Sequence, residues 1–361
     1  MTNFRSKITF ILPGFVSIPM GGVKVVHEYA NRLAHKGHDV TIVYPVITCS
    51  NPFIGGLRRV VKQVYDKITN VAAELYYTPD SRVTVLVVKK ALSKYIPDGD
   101  AVVAVGWQTA VWVNCLPDCH GKKFYFLQHF ETYFRSKKKV LETFRMPLTK
   151  IAIARWIINK LEELGETALG PLGNAIDPEE FYLETNIKNR PNDVVVIYHH
   201  MNVKGPKDII AILKQLKKRQ NISAVLVSSR KPVHRIPYWV KIVIRPSLEE
   251  LRTLYNSSKI FLHTSHSEGW GLPVMEAMAC GCAVAAYANE GVSEFLIDKQ
   301  NALLAPVKDK DAVVNNVRTL LSDDLLRQNL AANGRNKVCQ YSWDNIVERF
   351  LTILQTQIKH G

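Results

Sequence analysis

The chain has 361 residues, 47% of them apolar and 22% charged, a balance that excludes a disordered polymer and suits two domains with separate cores. The 47 Lys and Arg outnumber the 32 Asp and Glu, giving a formal charge of +15. The 6 cysteines are too few for a disulfide scaffold at this length, and no apolar run is long enough to cross a bilayer.

Arg5 and Lys7 precede the apolar run 8–12, which imitates a signal peptide. Pro13 and Gly14 cut that run short and no small-residue cleavage site follows closely, so it reads as a first buried strand. The loop after it ends in Gly21-Gly22. Val25, Val26, Tyr29, Ala30 and Leu33 then mark one face of a helix over 23–36, with Gly37 as its stop. Further strands are predicted at 40–44, 83–88, 101–105 and 124–127.

Residues 1–170 carry 23 Lys and Arg against 13 Asp and Glu, so the positive excess favours the first half. It gathers at Arg58, Arg59, Lys62 and Lys67, interleaved with Val60, Val61, Val64, Tyr65 and Ile68 at helical spacing, and again at Arg135, Lys137, Lys138 and Lys139. Such a pattern fits a basic amphipathic helix on an anionic membrane surface, and equally a solvated helix whose apolar stripe faces its own core. No nucleic-acid module accompanies the charge, so a nucleic-acid partner is not expected. Asp98-Gly-Asp100, after Pro97, reads as a turn rather than a metal motif. Cys115-x-x-x-Cys119-His120 lacks a second ligand pair at zinc spacing and reads as thiols in a reducing compartment.

In the second half, strands are predicted at 194–198, 223–227, 260–264 and 283–287. Helices are predicted over 207–218 and from the capping box Ser247-x-x-Glu250 through Leu254. Alternating strands and helices imply parallel sheets. Gly165, Gly170, Pro171 and Gly173 place the domain boundary within 165–190. The tail from Tyr341 reads as an amphipathic helix.

The most informative stretch is Glu268-Gly-Trp-Gly-Leu-Pro-Val-Met-Glu276. Glu268 falls in a glycine-bearing loop at the carboxyl end of a strand, where open α/β sheets bind ligands. Glu276 falls in what reads as the first turn of the next helix, opened by Pro273. Free N–H groups at a helix start attract phosphate. Two acids beside such a cradle suit a sugar nucleotide. Each acid alone has a plainer reading, as a complement to the helix dipole or an ordinary loop residue.

Residues 263–294, with Ser265-x-x-Glu268-Gly-Trp-Gly-Leu-Pro273 and Glu276-Ala-Met-Ala-x-Gly281 at their centre, closely resemble the signature of the family 4 glycosyltransferases. Trp270 stands where that family more often has Phe, and Ala283 where it more often has Pro. Leu172-Gly-Asn-Ala-Ile-Asp177 and Phe181 resemble the element that begins the family's second domain, with Ala175 replacing a Gly. The resemblance covers 170–361 well and 1–45 and 100–160 loosely; 46–100 match nothing.

The resemblance implies an α/β, GT-B fold: two Rossmann-like parallel-sheet domains facing across a cleft. Residues 1–168 would be the acceptor-binding domain, 169–340 the nucleotide-sugar domain, and 341–361 a helix crossing back to the first. Glu276 would hold ribose hydroxyls and Glu268 the donor sugar. The N–H groups of Gly269, Trp270, Gly271 and Leu272 would face sugar and diphosphate. Lys204 would contact phosphate, while His199 occupies the usual position of a second phosphate cation; Arg230 is the nearest substitute. Gly21 and Gly22 would approach the diphosphate from the first domain, and His129 would be its active-site histidine, not a base. No protein nucleophile and no metal or other cofactor is expected, the nucleotide sugar being a co-substrate. The implied activity is retaining transfer of a sugar to a hydroxyl of a glycan or lipid-linked acceptor, in the cytoplasm or at the inner membrane face. Rival readings are a sugar-nucleotide epimerase or other GT-B enzyme, and a basic glycan- or polyanion-binding relative without catalysis.

Overall fold

The computed structural model describes residues 5–14, 20–46, 77, 79–132, 137–184 and 189–359. The chain divides into two compact units, Met1–Leu172 with Asp344–Gly361, and Gly173–Trp343.

In the first unit, β1 (Lys7–Ile11), β2 (Asp39–Pro45), β3 (Thr84–Val88), β4 (Ala101–Ala104), β5 (Lys122–Leu127) and β6 (Thr149–Ala152) form one sheet in the order β3-β2-β1-β4-β5-β6. Every pairing is parallel, with Ile8 opposite both Val40 and Ala101. All of β4 and the end of β5 are buried, which is why these strands read as unbroken apolar runs.

In the second unit, β7 (Asn192–Tyr198), β8 (Ala224–Ser228), β9 (Val240–Ile244), β10 (Ser258–His263), β11 (Ala283–Tyr287) and β12 (Leu303–Ala305) form a second parallel sheet, ordered β12-β11-β10-β7-β8-β9. The winding is the same in both. Strand order reverses between the first and fourth strands of each sheet, so the carboxyl ends of β1/β4 and of β7/β10 are the switch points at which such sheets generally bind ligands.

The helix Trp343–Lys359 belongs, from Asp344 on, with the first unit. Its apolar face, Ile346, Val347, Phe350, Leu351 and Leu354, is buried. Phe350 lies against the rings of Phe10, Tyr29 and Phe126, with centroids 6.1, 4.8 and 5.6 Å away.

Several sequence expectations need adjusting. The first helix is Gly21–His35, so Gly21 and Gly22 open it rather than end a loop; the N–H groups of Val23 and Lys24 already bond to the Met20 carbonyl. β6, β9 and β12 were not foreseen, being short or interrupted by Lys150, Lys241 and flanking polar residues. Arg58, Arg59, Lys62 and Lys67 lie outside the described residues, as does Arg135. Lys137, Lys138 and Lys139 form the exposed start of the helix Lys137–Phe144, whose Val140 and Phe144 are buried. Among the described residues no helix is long and apolar enough to cross a membrane.

Candidate active site

At the β7/β10 switch point two loops are stitched together. After β7 the chain makes a short turn, Asn202–Lys204, and Gly205 adopts φ +65° to open the helix Pro206–Arg219. The turn packs on the loop after β10: His266 N–H donates to the Val203 carbonyl at 2.7 Å. A Cβ on Gly205 would lie 2.2 Å from the Thr264 carbonyl oxygen, so only glycine permits this approach. Asn289 Nδ2 donates to Ser265 O at 3.0 Å and ties the loop after β11 to the same place. Asp208 accepts from Tyr287 and faces His266 Nε2 at 2.8 Å, bracing the base of the cluster.

This stitching brings Lys204 and Glu268 together. Lys204 Nζ donates to Glu268 Oε2 at 2.6 Å, with the side chains only 22% and 13% exposed. Burial alone would raise the Glu268 pKa, but Lys204, His263 and a hydrogen bond from Ser265 outweigh it and bring it down to about 2. His263 Nε2 is buried 3.8 Å from Glu268 Oε1, too far for a hydrogen bond, and has no hydrogen-bond partner among the described residues. Burial lowers its pKa to about 4, so the ring is neutral at pH 7. Sequence reasoning passed over His263 and Ser265; the signal was their place at the end of β10 beside a loop acid.

His199 sits at the mouth of the same loop. Its Nδ1 accepts the Met201 N–H at 3.1 Å, which leaves Nε2 as the protonated nitrogen of the neutral ring. Burial lowers its pKa, and the nearby charges of Lys204 and Arg230 lower it further. Arg230 is exposed beyond β8, close enough to act on both His199 and His200. His199 is thus within electrostatic reach of Lys204, Glu268 and Arg230, which joins four of the residues singled out from the sequence.

The helix Leu272–Ala279 starts beside it. Gly271, at φ +109°, is its cap; a Cβ there would meet Val292 at 2.8 Å. The Leu272 N–H has no carbonyl to reach within its own helix, and Pro273 contributes no N–H. Proline therefore sits second and Glu276 fifth, a full turn inside rather than in the first turn as the sequence suggested. Glu276 is buried, and Tyr255 OH donates to its Oε2 at 3.4 Å. Trp270 has a buried side chain. Its ring is 5% exposed, packed on Phe295 and Tyr341, and its Nε1–H donates to Met275 Sδ at 2.9 Å. Its side chain is core; only its backbone can face a ligand.

The first unit carries a smaller set of groups at its own switch point. Gln128 Nε2 donates to the Gly22 carbonyl at 3.0 Å and fixes the start of the first helix. His129 follows β5, its Nδ1 accepting the Glu131 N–H at 3.2 Å and its ring edge-on to Trp156. Glu131 adopts φ +53° and accepts the Trp107 N–H at 2.8 Å through Oε2. Burial raises its pKa to about 7 despite that hydrogen bond. Elsewhere, Asp98 comes together with Cys119 and His120, which the sequence treated as unrelated. Both His120 nitrogens already have protein neighbours there, Ser93 Oγ at 2.9 Å and Pro97 O at 3.1 Å.

Residues 179–337 match the family described as Glycosyl transferases group 1. The second unit thus carries a group 1 glycosyltransferase domain. Over 107 residues the chain is 33% identical to O-antigen chain mannosyltransferase B of Escherichia coli, covering 30% of this chain and 28% of that enzyme. Over 185 residues it is 27% identical to the N,N'-diacetylbacillosaminyl-diphospho-undecaprenol alpha-1,3-N-acetylgalactosaminyltransferase of Campylobacter jejuni, covering 50% of this chain and 49% of that enzyme. The chain thus spans less than half the length of either relative. The structure superimposes on Anabaena HepE in complex with UDP-glucose with a TM-score of 0.75 at 16% identity, covering 98% of this chain and 100% of that one. The fold is GT-B, and all the Lys204–Glu268 cluster lies inside the group 1 domain.

Proposed function

We propose that this protein is a glycosyltransferase that moves a sugar from a nucleotide-sugar donor to a hydroxyl of a glycan or lipid-linked acceptor with retention of anomeric configuration. The observation that carries the reading is the Lys204–Glu268 pair at 2.6 Å, held at a sheet switch point beside the open start of the helix Leu272–Ala279. A cation and an N–H-bearing helix end suit a diphosphate. A deprotonated, buried carboxylate suits sugar hydroxyls.

In this reading the diphosphate draws Lys204 from Glu268, with Arg230 and His199 Nε2 as further donors, and Glu268 turns its freed oxygen to the sugar. Glu276 binds the ribose, its position in the second helical turn setting it back from the phosphates. Stabilising the departing diphosphate is the main catalytic effect. The same charge is supplied by Lys204, Arg230 and backbone N–H groups, so the reaction as proposed runs without a metal. The departing phosphate takes the acceptor proton, and His129 lines the acceptor side in the first unit.

The test is a thermal-shift screen against UDP, GDP, ADP, CMP and dTDP, with Glu276→Ala alongside. Saturation at about 100 times Kd adds about 2.7 kcal/mol of stability to a binder. One nucleotide stabilising the wild type and not the variant supports the donor site; its sugar nucleotides then enter a transfer assay, with the anomeric configuration of the product read by NMR. No stabilisation by any of them sinks the proposal.

A further inference from the structure

In a parallel sheet the crossover helices normally cover both faces. The β8–β9 connection breaks this pattern: it runs through residues 229–239 with no helix. β9 is also the edge strand. Ile236 and Trp239 anchor the connection against the core, and Tyr198 OH meets His234 Nδ1 at 2.7 Å. What remains outside is apolar. Tyr238 is 100% exposed, Val233 74% and Ile242 43%; Ile244, two residues on and so on the same face of β9 as Ile242, is exposed as well.

The charge within this stretch of sequence has one sign. No Asp or Glu occurs between Asp208 and Glu249, while 9 Lys and Arg do. Lys231, Arg235 and Lys241 are exposed among the apolar side chains. The basic end of the helix Pro206–Arg219 joins them, with Lys217 Nζ 4.9 Å from the centre of the Trp239 ring.

We propose that this strip, from Lys231 to Ile242, docks on an anionic lipid bilayer. An exposed tyrosine and aliphatic side chains enter the headgroup–acyl boundary, and interspersed lysines and arginines meet acidic headgroups. The arrangement is wrong for a second copy of the chain, since a two-fold contact through this patch would bring like charges together. It also fits a polyanion poorly, because phosphates give Val233 and Ile242 nothing to pack against. The inference does not depend on the proposed transferase activity and concerns a different region from the basic cluster at 58–67.

The experiment is flotation of the full chain with vesicles of phosphatidylcholine alone or mixed in equal parts with phosphatidylglycerol. Three proteins are compared: wild type, Lys231→Ser/Lys241→Ser and Val233→Ser/Tyr238→Ser, with thermal melts to check folding. Each side chain is exposed, so the melts are expected to agree. The wild type is expected to float with the mixed vesicles only. Losing two cations should weaken it about 30-fold, and salt should do the same. The apolar pair should weaken it at every salt concentration. Wild type that fails to float, or variants that float like wild type, overturn the proposal. So does a concentration-dependent dimer, seen by light scattering, that the variants abolish without any vesicle binding.

Discussion

Lys204 Nζ lies 2.6 Å from Glu268 Oε2, a lysine from the loop after β7 meeting an acid from the loop after β10. The two are 64 residues apart, and no feature of either segment alone announces the pair. Its consequence is that the two charges neutralise one another, and in the proposed reaction the donor must separate them.

Removing one partner should therefore have two readable effects. Lys204→Met leaves the Glu268 carboxylate mostly buried without its cation, a cost between those of exposed and fully buried pairs, about 2 kcal/mol in a denaturant melt. Glu268→Gln removes a charge-assisted contact to the proposed sugar and should weaken donor binding about 10- to 150-fold by calorimetry. Equal donor affinity in wild type and Glu268→Gln would remove Glu268 from the site.

Gly205→Ala tests the stitching. The added methyl would fall 2.2 Å from the Thr264 carbonyl oxygen at φ +65°, so the loop must shift. We expect a loss of at least about 1–2 kcal/mol and weakened nucleotide binding, since Lys204 is the adjoining residue. A variant that melts and binds like wild type would mean the loops are free to part.

Much of this was legible in the sequence. The apolar runs of β4, β10 and β11 are buried on both faces, so composition marks them directly. The capping box at Ser247 is formed as read, Glu250 N–H donating to Ser247 Oγ at 3.1 Å and Ser247 N–H to Glu250 Oε2 at 2.7 Å. What escaped was set by packing. β9 is half exposed and interrupted by Lys241, so no apolar run signals it. The enclosure of the Trp270 ring by Phe295 and Tyr341 is likewise not signalled by the glycine loop around it. Partners distant in sequence decide that, and a local motif does not contain them.

Trp270→Ala should accordingly behave as a core deletion. Truncating a buried aromatic costs about 3–5 kcal/mol, and Trp270→Phe, which keeps most of the packing but loses the bond to Met275, should cost less than half of that. Nucleotide affinity of Trp270→Phe should stay within a few fold of wild type, because in the proposed site only the backbone faces the ligand. A large selective loss of affinity in Trp270→Phe with stability intact would place the indole in the ligand site.

His263 predicts an acid-side instability. Its pKa falls from 6.5 to about 4 through burial, so between these values the native state binds fewer protons than the unfolded chain. Stability must then decrease as pH drops through that window, by up to about 3 kcal/mol. His263→Leu should flatten this part of the profile in denaturant melts at pH 4.5, 5.5 and 6.5, roughly the span of the shift. An unchanged slope would mean that the ring is hydrated.

Glu131 predicts the opposite slope in the first unit. Burial raises its pKa from 4.5 to about 7, so the native state there holds a proton that the unfolded chain has lost. Stability should fall as pH rises through that window and level off above it, again by at most about 3 kcal/mol. Glu131→Gln keeps an acceptor for the Trp107 N–H at the same position but cannot ionise. It should gain on wild type as pH rises from about 5 to 7 and keep a constant lead above that. If the carboxylate also faces an acceptor hydroxyl, the variant should raise KM for acceptor while leaving nucleotide binding untouched. The His129 ring gives an independent reading: the Glu131 N–H donates to its Nδ1, so its proton sits on Nε2. Nitrogen NMR of the ring should report that tautomer in wild type and Glu131→Gln alike, because the contact is made by the backbone. A change of tautomer in the variant would mean that the carboxylate, not the φ +53° backbone, orients the ring.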